Sequence, residues 1–149
     1  MSILTQKTIS KKISIEGIGV HTGLIAKVVI LPAQPNTGIL FKRVDLIKNN
    51  TIVPNYNNVV DATLCTTISN DNGVKVSTIE HLMGAFYGLG IDNAIVEINS
   101  QEVPIMDGSA KKFVELILQA GIHSSEVPIK IIKVDKYTEV KEGDKSISI

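Results

Sequence analysis

The sequence predicts an α+β fold, and three observations carry that expectation. Short apolar runs rich in β-branched residues recur between Thr8 and Val76, separated by Gly, Pro and Asn clusters. The period then changes, because Ile79, Leu82, Met83, Phe86 and Leu89 fall at helical spacing. A strand-like Ala94–Ile98 follows, and then a second helical stripe. Several strands, a helix, a strand and a helix make an antiparallel or mixed sheet with two helices packed on one face.

Each element has its local reason. Thr8 to Glu16 reads as one strand, with Ile9, Ile13 and Ile15 on one face and Lys11 the polar exception. Three glycines in Gly17–Gly23 mark a tight, backbone-dominated loop. Ile25 to Leu31 is β-branched and stopped by Pro32, and after the Pro35-Asn36-Thr37-Gly38 turn Ile39 to Val44 is a third strand. Polar residues and Pro54 make Asp45–Asn58 a loop with room for one short edge strand. Thr63 to Ser69 is strand-like, and an Asn70–Gly73 turn leads to a Val74–Val76 return. Ser77 opens the first helix and Gly88-Leu89-Gly90 closes it. Ser109 to Ala120 is the second helix, with Phe113, Leu116, Ile117 and Ala120 on one side and Gly121 as its cap.

Composition narrows the function classes. At 149 residues the chain is about one domain's worth, and 44% hydrophobic content excludes intrinsic disorder. Fifteen basic against fifteen acidic side chains leave no footprint for non-specific nucleic-acid or anionic-membrane binding. One cysteine excludes an internal disulfide framework and a cysteine-rich zinc module. No apolar run approaches the roughly 18–20 residues of a membrane span, and the first residues lack a signal-peptide core, so a soluble, cytoplasmic protein is expected.

The tail reads differently. Ser124–Pro128 has linker composition, Ile129–Val134 and Tyr137–Lys141 are strand-like, and Glu142–Lys145 is a turn. A lone hairpin is marginal by itself. The tail therefore either adds to the preceding sheet or opens a second domain; the second reading is favoured, with residues 1–124 as one domain and residues 125–149 as a linker and the truncated start of another.

Chemistry concentrates in Ser77-Thr78-Ile79-Glu80-His81-Leu82. Ser77 and Glu80 match a capping box, which gives Glu80 a structural role. The functional alternative puts Glu80 and His81 in the first helical turn, where an imidazole can ligate zinc and a carboxylate can act as general base. The residue four after His81 is Ala85, so this is no HExxH site. His21 reads as a loop histidine, Cys65 as a small buried hydrophobe, His123 as a solvated helix-exit residue, and Asp107 or Ser109 as a helix N-cap.

Taken in order, Gly19-Val20-His21-Thr22-Gly23, Ala62-Thr63-Leu64-Cys65-Thr66, Ser77–Leu82, Gly88-Leu89-Gly90-Ile91-Asp92-Asn93 and Pro104-Ile105-Met106-Asp107-Gly108-Ser109 resemble one family. It is the zinc-dependent UDP-3-O-acyl-N-acetylglucosamine deacetylase family of lipid A biosynthesis in Gram-negative bacteria, and the resemblance runs from about Gln6 to the end. It implies a two-layer β-α-α-β sandwich in each of two domains, with the active site between them. It implies His81 as a zinc ligand, Glu80 as the general base that deprotonates the attacking water, and Thr63, Leu64 and Cys65 on a strand lining the substrate site. The family's other zinc ligands, a His and an Asp, and its amine-protonating His lie in the second domain. The resemblance thus implies a UDP-sugar deacetylase whose amino-terminal part, this chain, is inactive alone and lacks a complete zinc site.

Two rivals stand beside it. One is a stand-alone, non-catalytic binding or oligomerisation module of the same fold. The other is a different zinc site in which His21, His81 and Cys65 converge.

Overall fold

Strand alternation builds the layer on which everything else rests. The computed structural model describes residues 4–149. In chain order the strands before the first helix are β1 (Thr5–Ile9), β2 (Ile13–Ile18), β3 (Ile25–Pro32), β4 (Ile39–Arg43), β5 (Thr51–Ile52), β6 (Val59–Asp61), β7 (Thr67–Ser69) and β8 (Lys75–Val76). Helix α1 (Glu80–Leu89), strand β9 (Ala94–Ile98), helix α2 (Lys111–Ala120) and strands β10 (Ile122–Pro128), β11 (Glu139–Glu142) and β12 (Lys145–Ser148) follow.

The main sheet has the order β2-β3-β9-β4-β5. Only β4 and β9 run parallel, so of the antiparallel and mixed sheets that the element order allowed, the sheet is the mixed one. Ile13 and Ile15, then Ala26, Val28 and Ile30, then Ala94, Val96 and Ile98 point inward from their strands, and the residues between them are more exposed. Period-2 alternation thus buries one face. Onto it pack Leu82, Ala85 and Phe86 of α1 and Phe113 and Ile117 of α2, all in one hydrophobic cluster. Gly90 at φ 67° and Gly121 at φ 83° end the two helices, each amide donating back to the last turn.

Four local expectations change. The single strand over Thr8–Glu16 is two: the chain breaks at Ser10–Lys12, so Ile9 and Ile13 stay buried while Lys11 and Lys12 reach solvent. An unbroken strand would have put Lys11 on the apolar face, where an unpaired charge is costly. The strand expected over Thr63–Ser69 is only Thr67–Ser69, because Thr63-Leu64-Cys65 bend after the missed strand β6. Asp61 sets that bend by accepting from the Thr63 amide at 2.9 Å. Ser124–Pro128 is no linker but part of β10, paired antiparallel with β1 from Ile9↔Ile122 to Thr5↔Pro128. Ile129–Val134 forms no strand, and the tail is an exposed hairpin, β11 with β12, turning at Gly143 with φ 62°. No helix among the described residues is long and apolar enough to cross a membrane.

Candidate active site

The first turn of α1 is aimed by what precedes it. Ser77 is clipped to the Gln101–Val103 segment, its amide donating to Gln101 O (2.9 Å) and its carbonyl accepting from the Val103 amide (3.1 Å). Thr78 then takes φ 57°, a left-handed conformation that a β-branched residue rarely adopts. The chain turns there and enters the helix at Glu80.

The capping box is not formed. Ser77 Oγ donates to Gln101 O at 3.1 Å, and the helix has no side-chain cap at its N-terminus. Glu80 faces the other way, with Oε2 accepting from the Thr66 amide at 2.9 Å. Its Oε1 lies 3.9 Å from His81 Nε2, and the two side chains are 37% and 28% exposed. Neither is spent on the packed interior, so both are open to a ligand. Ser109 Oγ does accept from the Lys111 amide (3.1 Å) and Asp107 Oδ1 from the Ser109 amide (3.1 Å), although Ala110 holds the N-cap position of α2.

Thr63, Leu64 and Cys65 sit on a bend rather than a strand, but they do line a depression. It measures about 460 Å³ and is completed by His21, Asp61, Thr67 and Ser77. His81 and Glu80 lie outside its wall, and Glu80 is tied to it through Thr66, next to Cys65. Asp61 is held below the usual aspartate range by the hydrogen bonds of Thr63, backbone first and then side chain.

Sequence reasoning missed Glu102. It is fully buried, and its two oxygens accept four hydrogen bonds. Oε1 takes the His21 amide (3.0 Å) and Thr78 Oγ1 (3.0 Å), and Oε2 takes the Thr22 amide (2.8 Å) and Thr22 Oγ1 (2.6 Å). Burial alone pushes a carboxyl up, but the Thr22 hydroxyl, the His21 and Thr22 amides and the Thr78 hydroxyl outweigh it and hold Glu102 below the usual glutamate range. Nothing in Gln101-Glu102-Val103 signals this, because the loop it binds lies 80 positions away.

Among the described residues, no three His, Cys, Asp or Glu side chains are grouped to hold a metal ion, which removes the site built from His21, His81 and Cys65. A catalytic zinc site takes about three protein ligands. The donor set here fits one corner of such a site, an open imidazole beside a carboxylate, and does not complete it.

A family model described as UDP-3-O-acyl N-acetylglycosamine deacetylase matches residues 6–149. The chain belongs to that deacetylase family. Curated UDP-3-O-acyl-N-acetylglucosamine deacetylases similar to it include those of Haemophilus influenzae (strain 86-028NP), 43% identical, Pasteurella multocida (strain Pm70), 42%, and Pseudoalteromonas atlantica (strain T6c / ATCC BAA-1087), 46%. Each match covers 143 residues, 96% of this chain and 47% of the relative. This deacetylase-family chain therefore spans about half the length of the curated relatives it matches.

Proposed function

We propose that this chain supplies one side of the active site of a zinc-dependent hydrolase that removes the N-acetyl group from UDP-3-O-acyl-N-acetylglucosamine, a cytoplasmic step of lipid A biosynthesis. The observation that carries the reading is the pair Glu80–His81: adjacent, partly exposed, at the start of one helix and, among the described residues, without a third metal-binding partner. In this reading His81 is one zinc ligand, and the remaining ligands come from a second domain. Bound zinc would polarise the amide carbonyl and make water acidic enough to react near neutral pH.

The chain's own residues have separable tasks. The Thr66 amide holds Glu80 Oε2, which leaves Oε1 on the His81 side to take the proton of the attacking water. Thr63, Leu64 and Cys65, with the exposed His21, form the wall against which the sugar nucleotide rests. The departing amine needs a proton donor, which the second domain is proposed to supply along with the missing ligands. Alone, the chain is therefore inactive. We place the passage to that domain after Pro128, the last residue of β10 to pair with β1.

A chimera tests the reading: residues 1–149 joined to the carboxy-terminal half of the Haemophilus influenzae relative, assayed for acetate release from the UDP-linked substrate. Activity that disappears with Glu80→Gln and with His81→Ala supports it. Activity that survives both substitutions refutes it.

A further inference from the structure

The buried carboxylate of Glu102 joins two segments that the proposed chemistry uses. One is the glycine-rich loop carrying His21, which lines the substrate wall. The other is Thr78, the left-handed residue two positions before Glu80. Gly19 shows how tightly the joint is built: a Cβ there would collide with Glu102 Oε2 and Thr22 Oγ1.

We propose that Glu102 is a positioning residue for the first turn of α1, holding Thr78 in its strained conformation so that Glu80 meets Thr66 and presents its free oxygen. The inference rests on the functional reading of Glu80 given above. Geometry makes the carboxylate specific. Each oxygen accepts one backbone N–H and one hydroxyl. A glutamine amide, whichever way it turns, aims its NH₂ at the His21 or the Thr22 amide, donor against donor. The hydroxyls can rotate, but the two backbone amides cannot. Aspartate is a methylene shorter and cannot span both sides. The left-handed Thr78 needs this support, because strain at such a residue persists only where its surroundings over-determine it.

Amide hydrogen exchange on the full 149-residue chain reads the effect at Thr66, whose N–H reports the bond to Glu80. Glu102→Gln and Gly19→Ala, which disturb the same carboxylate from opposite sides, are expected to lower Thr66 protection by about tenfold relative to the amides of β3 and β9. Thr78→Val, which removes one of the four bonds, moves Thr66 in the same direction and serves if Glu102→Gln does not fold. Thr78→Ser restores the hydroxyl and with it the protection. Ile117→Val, a core change under α2, leaves the ratio unmoved. In the chimera, Glu102→Gln lowers kcat with KM little changed.

Thr66 protection that is unaltered in a folded Glu102→Gln or Thr78→Val chain overturns the proposal, as does a loss spread evenly over the sheet. Exchange needs neither zinc nor substrate. If the coupling appears while Glu80→Gln leaves the chimera active, the functional reading has failed and the positioning role in catalysis falls with it. If the coupling is missing while Glu80→Gln is inactive, only the role of Glu102 is lost.

Discussion

The amide of Thr66 donates to Oε2 of Glu80 across 2.9 Å, binding the bend after β6 to the first turn of α1. The bond orients the carboxylate from outside its own helix. It also explains why Glu80 is free of the capping role that its spacing from Ser77 suggests.

Function and stability should therefore separate at Glu80. Glutamine retains a carbonyl oxygen for the Thr66 amide, so Glu80→Gln is expected to shift stability by no more than about 0.5 kcal/mol in urea unfolding. Acetate release by the chimera should fall about 100- to 10,000-fold, the usual worth of a general base.

Zinc affinity checks the division of ligands. The isolated chain offers one imidazole beside a carboxylate, so titration calorimetry should show no binding in the nanomolar range. Nanomolar binding abolished by His81→Ala would contradict the claim that the remaining ligands come from elsewhere.

Acid unfolding carries a signature of Glu102. Its folded pKa lies below the unfolded value, so its contribution is complete above about pH 4.3 and is lost as pH falls through the folded pKa. Over that acidic window the wild-type chain should lose stability more steeply than Glu102→Gln, which has no proton to bind there. Denaturant midpoints measured from pH 6 downward compare the two; parallel curves would refute the assignment.

Core packing predicts the largest loss. Phe113 is fully buried and, with Ile117, seats α2 on the sheet. Phe113→Ala should cost about 3–5 kcal/mol, read as a lower urea midpoint. Removing the exposed Tyr87 side chain from α1 by Tyr87→Ala should cost less than about 0.5 kcal/mol.

What could be read from residues alone was whatever neighbours in the chain decide. The β-branched run Ile25–Leu31 stopped by Pro32, alternation in Ala94–Ile98, the helical stripes, and Gly90 and Gly121 as stops are local signals, and the corresponding elements stand where expected. Glu80 and His81 were legible as candidates because adjacent residues on one turn need no third party to be close. Ser124–Pro128 looked like a linker because a polar strand is recognised only by its partner, and β1 lies at the other end of the chain. Ser77 and Glu80 satisfied a local capping pattern, yet Gln101 took the serine hydroxyl and Thr66 took the carboxylate. Glu102 was invisible for the same reason, since the loop it holds lies 80 positions away. Periodicity determined which segments are strands and helices. Only the folded chain decided where the polar side chains are satisfied, because a hydrogen bond forms with whichever donor or acceptor the fold brings within reach.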